Sequence, residues 1–80
     1  MKISKAVAAR IRELVKEKGL TLYGFERKAK ISHDTLRSIM KGRAKGVNLK
    51  TCVVLARGFN MKVWEFLDSE IFQFENLDLE

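Results

Sequence analysis

The sequence predicts an all-α fold: a compact bundle of five short helices, followed by a short C-terminal tail that is extended or frayed. Three observations predict it. Apolar residues recur at steps of three and four in successive runs across residues 1–68, the spacing of one helical face. Ser, Thr or Asn precedes most of these runs, and Gly or Asn follows several, as helix caps require. The chain has no proline and five glycines, which argues against linkers, low-complexity tracts and repeats. Its 80 residues make one domain, with 46% hydrophobic residues for a single helical core. A chain of this size hides only about 60% of its unfolded surface, so nearly every apolar position must be used.

Val7, Ile11, Leu14 and Val15 mark the face of a first helix from about Lys5 to Lys18. Ser4 is its expected cap, and Gly19 its stop, with Lys16 and Lys18 beside the negative helix end. Thr21 caps a short second helix, about residues 22–28, with Leu22, Phe25 and Ala29 as apolar contacts. Ser32 then caps a third helix, about residues 33–41, carrying Leu36, Ile39 and Met40 and ended by Gly42. The link Ala29-Lys30-Ile31-Ser32 has the length of the turn between two helices of a helix-turn-helix. After the basic loop Arg43-Ala44-Lys45-Gly46, Asn48 caps a fourth helix with Leu49, Cys52, Leu55, Ala56 and Phe59 on one stripe. Asn60 suits its left-handed C-terminal position. A last helix, about Lys62 to Leu67, offers Val63, Phe66 and Leu67. Residues 1–68 thus form the domain, and residues 69–80 a tail in which Phe72-Gln73-Phe74 and Leu77-Asp78-Leu79 alternate as extended chain does.

Charge divides the chain at the same place. All 16 Lys and Arg lie within residues 1–62 against four acids, Glu13, Glu17, Glu26 and Asp34, giving +12. Residues 63–80 carry six acids and no base, giving −6. A +12 block suits a polyphosphate partner; its plain alternative is a solvated surface.

Several classes are excluded on composition. Cys52 is the one cysteine and His33 the one histidine, so neither an intramolecular disulfide nor a zinc site of about four ligands can form. No cofactor, metal or small-molecule ligand is expected. No stretch reaches the roughly 20 apolar residues that cross a bilayer, and Arg10, Arg12 and Glu13 interrupt any signal-peptide run. A cytoplasmic location is expected. Catalysis is not, because no nucleophile–base pair or glycine-rich phosphate loop is present. His33 and Asp34 are adjacent, so on a helix they diverge by about 100°.

The order Gly19-Leu20-Thr21, Ala29, Ile31-Ser32, Thr35-Leu36-Arg37-Ser38-Ile39, Gly42, then Leu49-Lys50-Thr51, Leu55-Ala56 and Phe59 through Phe66-Leu67 resembles the Cro/C1 type of helix-turn-helix. This is the XRE family of phage-repressor-like DNA-binding proteins, and the resemblance covers roughly residues 4–68. It implies a lambda-repressor-like fold in which the third helix enters the major groove. Three positions depart from the family pattern. Leu22 replaces a glutamine that anchors a phosphate, leaving Thr21 or Tyr23 to do so through a hydroxyl. Glu26 replaces a small residue between the two helices and must face solvent or pair, with Arg37 or Arg27 as candidates. Lys30 replaces a turn glycine and so needs a mildly costly backbone conformation.

The resemblance implies that His33, Asp34, Thr35, Arg37 and Ser38 meet base edges, since a recognition helix presents its N-terminal residues. Asp34 would accept from cytosine N4, and Arg37 would pair with guanine or grip phosphate. The plain alternative for Asp34 is stabilisation of the helix dipole, and for His33 a merely exposed ring. Lys41, Arg43, Lys45 and Lys50 stand where family members hold the sugar-phosphate backbone. Phe25, Phe59 and Phe66 fall on core stripes. Trp64 does not, and beside Phe72 and Phe74 it would form an apolar patch of the kind used between subunits. Cys52 reads as a small buried hydrophobe.

Two functions follow. The first is sequence-specific binding of double-stranded DNA by a homodimeric transcriptional regulator of repressor type, with the tail as dimerisation element. The second is an antitoxin-type interaction module of a toxin–antitoxin pair that also binds its operator, although the tail is short for wrapping a partner.

Overall fold

Lys2 opens the chain in an extended conformation, and its carbonyl accepts from Ala6 N–H at 2.9 Å, so helix α1 begins at once and spans Ile3–Glu17. The computed structural model describes residues 1–79; Glu80, the last of the expected tail residues, lies outside them. Helices α2 (Leu22–Ala29), α3 (His33–Met40), α4 (Leu49–Gly58) and α5 (Val63–Leu67) follow, then two single 3-10 turns at Glu70–Phe72 and Phe74–Asn76. Among the described residues there is no β-strand, only an isolated bridge between Lys2 and Asp78.

Three expected caps form. Thr21 accepts from Gly24 N–H, Ser32 from Thr35 N–H and Asn48 from Thr51 N–H, at 3.0, 3.1 and 2.8 Å. The helix ends close in one manner. Gly19, Gly42 and Asn60 take left-handed backbone, which lets Leu20, Arg43 and Met61 donate back to Val15, Ser38 and Ala56 at 2.9 Å each. Lys30, at φ 57° and ψ 37°, takes the same left-handed backbone at the turn without glycine's freedom, and its N–H donates to the Glu26 carbonyl at 3.1 Å.

Ser4 corrects the expectation of a fourth cap. It lies inside the first turn of α1, 1% exposed, and its hydroxyl has no hydrogen-bond partner among the described residues. The cause is tertiary. Met1 donates from its amino group to the Asn76 carbonyl at 2.9 Å and accepts from Asp78 N–H at 2.7 Å. That clasp holds Lys2 extended and starts the helix two residues early.

The core is built where α1 packs on α3, α2 on α4, and α4 on α5. Val7, Ile11, Leu14, Phe25, Leu36, Ile39, Leu55, Phe59 and Phe66 are buried, with Phe25 and Phe59 stacked 4.2 Å apart. Cys52 is buried in the same stripe, and burial pushes its thiol pKa up. Leu49 was expected there and is 67% exposed instead. It is the first residue of α4, and side chains lean toward the helix N-terminus, which carries Leu49 off the end of the packed face.

The tail differs from its expected form. Phe72-Gln73-Phe74 is folded through the two 3-10 turns, not extended, and Phe72 packs 6.3 Å from the Phe66 ring. Leu77 and Asp78 do run extended, toward Lys2. Trp64 and Phe74 are both exposed, as the apolar patch expected of them requires, but they line different hollows. Trp64 lies with Val53, Arg57 and Met61, whereas Phe72 and Phe74 lie with Leu67 and Glu70.

Candidate nucleic-acid interface

The turn at Lys30 sets α3 against α1 and leaves the outer face of α3 in solvent. Leu36 and Ile39 anchor the helix beneath, each 2% exposed. Above them His33, Asp34, Thr35 and Arg37 are exposed and Ser38 is half-buried. All five residues expected to read bases therefore project from one element, and the structure divides them between two hollows.

Asp34, Thr35 and Ser38 line a cleft of about 340 Å³ whose opposite wall is Ala44, Gly46, Val47, Asn48 and Thr51. Hydroxyls dominate its polar lining, with Asp34 its only charge. Ser32 donates from its hydroxyl to Thr35 Oγ1 at 2.7 Å, so the Thr35 hydroxyl keeps its own proton to donate outward. Thr51 belongs to this wall and was missed. It sits in the first turn of α4, and only the docking of that helix beside α3 brings it near Asp34 and Ser38.

His33, Arg37 and Lys41 line a second hollow with Leu22, Glu26, Leu36 and Met40. Here the partner of Glu26 is corrected. Glu26 Oε1 lies 3.0 Å from His33 Nδ1, and neither Arg37 nor Arg27 takes it. Arg27 instead sits 5.8 Å from the Tyr23 ring centroid. Spacing on separate helices could not have shown the pair, because it depends on how α2 and α3 cross.

Around these hollows lie the residues expected to hold the DNA backbone. Lys41, Arg43, Lys45 and Lys50 are exposed, as are Thr21 and Tyr23 at the start of α2. Thr21 uses one lone pair as the cap of α2 and retains its hydroxyl proton for an external acceptor. Not all of the +12 charge serves such a surface. Arg10 donates to the carbonyls of Phe66 and Glu65 at 2.7 and 2.9 Å, Arg12 to Met40 at 3.2 Å, and Arg57 to Ala29 at 2.7 Å. These three guanidinium groups meet carbonyls at the ends of α5, α3 and α2, where the helix supplies few donors of its own.

Neither the curated proteins nor the solved structures contain a match to the chain. A family model does match, that of the Cro/C1-type HTH DNA-binding domain, over residues 10–70. Its span takes in the capped pair α2 and α3, the loop after them, and the two helices that support them. An all-helical chain with this pair at its centre and three-quarters of its length within the match belongs to the Cro/C1-type HTH DNA-binding domain family.

Proposed function

We propose that the protein is a small transcriptional regulator of repressor type that binds double-stranded DNA sequence-specifically as a homodimer. The observation that carries this reading is the outer face of α3, where five polar side chains line two adjoining hollows beside a rim of cations. His33, Asp34, Thr35, Arg37 and Ser38 read base edges in the major groove. Thr21, Tyr23, Lys41, Arg43, Lys45 and Lys50 hold phosphates, which fixes register and supplies salt-dependent affinity. One such module makes few base contacts, so two half-sites about 34 Å apart supply the specificity. The acidic tail, repelled by phosphate, serves the protein–protein side, with exposed Phe74 as its apolar contact. Such a regulator works in the cytoplasm.

Selection of bound fragments from random duplex DNA tests the whole reading. A palindrome with half-sites one helical turn apart is the expected result. Failure to enrich any sequence overturns sequence-specific binding, and enrichment of a single half-site overturns the dimer. Sedimentation of Phe74→Glu with the palindrome then tests the tail. Unchanged dimer formation removes it from the interface.

A further inference from the structure

The pair Glu26–His33 joins the two helices of the helix-turn-helix at the point where the recognition helix starts. His33 is the first residue of α3, and its ring is 66% exposed, while the Glu26 side chain is only 19% exposed. An ionised carboxylate accepts hydrogen bonds and cannot donate them. With Glu26 ionised, the 3.0 Å contact is a hydrogen bond only when His33 Nδ1 carries a proton. The neutral ring then has one remaining polar atom, Nε2, with a lone pair. Arg37 and Lys41 are the cations that line the same hollow, and both can only donate.

The geometry points to Glu26 as a positioning residue for sequence readout. We propose that it fixes the orientation and tautomer of His33, so that the neutral ring presents Nε2 to the groove as an acceptor. This rests on the DNA-binding reading above. An acceptor at that point selects a base with an exocyclic amino group in the major groove, adenine N6 or cytosine N4. A ring freed from Glu26 can carry its proton on Nε2 instead and donate to guanine N7 or O6, or to thymine O4. Glu26 touches no base in this scheme. It acts on the sequence preference through the ring it holds.

His33 is the only histidine, so its imidazole nitrogens can be read without assignment ambiguity in long-range proton–nitrogen NMR spectra of the whole chain. The same spectra report whether the ring is neutral, and the experiment is run at a pH where it is. The wild type is expected to carry its proton on Nδ1, and Glu26→Ala to show a mixture or the Nε2 form. In selections from random duplex DNA, the wild type should prefer adenine or cytosine at one half-site position. Glu26→Ala should lose about fivefold discrimination there, with the other positions unchanged. Glu26→Gln can either accept from Nδ1 or donate to it, so it should hold the ring in place yet lose part of the tautomer bias and, with it, part of the preference. A wild-type ring protonated on Nε2 overturns the proposal, whatever the variants do. So does Glu26→Ala binding that weakens equally on every sequence, or that leaves the preference intact. If the wild type enriches no sequence at all, the failure lies with the DNA-binding reading. Thermal unfolding separates loss of fold from loss of readout. Should Glu26→Ala not fold, the wild-type tautomer and the Glu26→Gln selection decide.

Discussion

Arg10 donates from Nε to the backbone carbonyl of Phe66 at 2.7 Å, tying the first helix to the end of the last. The same guanidinium reaches the Glu65 carbonyl and the Glu13 carboxylate. Arg10 is 8% exposed, so its charge is carried into the bundle only because three acceptors meet it. Arg10→Ala leaves the Phe66 carbonyl without a donor among the described residues, and the Glu65 carbonyl with only the long 3.3 Å contact from Asp68 N–H. A loss of about 2–4 kcal/mol is expected in denaturant unfolding, given the strength of hydrogen bonds to charged groups and the cost of unmet buried ones. Arg10→Lys should recover less than half of it, because an ammonium cannot reproduce the fork.

Ser4→Ala should stabilise the protein or leave it unchanged, by up to about 1 kcal/mol. The substitution removes a buried hydroxyl with no partner among the described residues, and alanine is the better helix former inside α1. A helix-capping serine would behave oppositely, losing about 1 kcal/mol on the same change. The direction of the shift in Tm checks the placement of α1.

Gly58→Ala should destabilise by about 1–3 kcal/mol. Gly58 lies within α4, where alanine would ordinarily be favoured over glycine by about 1 kcal/mol. Here a Cβ would come within 2.6 Å of the Phe25 ring and 2.7 Å of the Ala29 side chain, so α4 would have to move away from α2. Chemical denaturation measures the sign directly.

Cys52 should react slowly with a thiol reagent in the native state and rapidly once unfolded, because it is buried and its thiol pKa is raised by desolvation. The native thiol holds its proton to higher pH than the unfolded one. Its stabilising contribution is therefore complete below the unfolded thiol's pKa and is lost as pH rises through the folded value. Stability measured for the wild type should fall over that alkaline range more than it does for Cys52→Ala.

Replacing Arg43 and Lys45 together with Ala should weaken binding to all duplex DNA and flatten the salt dependence by up to about two units. Ser38→Ala or Asp34→Ala should instead change which sequence is preferred, by about 1–3 kcal/mol at the position concerned. Titration of selected and random duplexes across a salt series separates the two. Uniform loss across all sequences for the Ser38 or Asp34 variant would contradict its role as a reader.

The sequence by itself determined the five helices, three of their N-caps, the left-handed turns at Gly19, Gly42 and Asn60, and the residues on the outer face of α3. These are local matters. A cap accepts from an N–H two or three residues on, and a helical stripe repeats every three or four residues, so both can be read along the chain. What only the tertiary structure decided lies between elements distant in sequence. The clasp of Met1 on Asn76 and Asp78 moved the start of α1 past Ser4. The close approach of α2 and α4 made Gly58 a packing residue, and the end of that packed face left Leu49 in solvent. Arg10, Arg12 and Arg57, counted only within the basic block, donate to carbonyls at the ends of helices distant in sequence. The crossing of α2 and α3 brought Glu26 to His33. The all-helical class therefore followed from periodicity, whereas the chemistry presented on the outer face of α3 depends on which side chains those crossings bring within about 3 Å of one another.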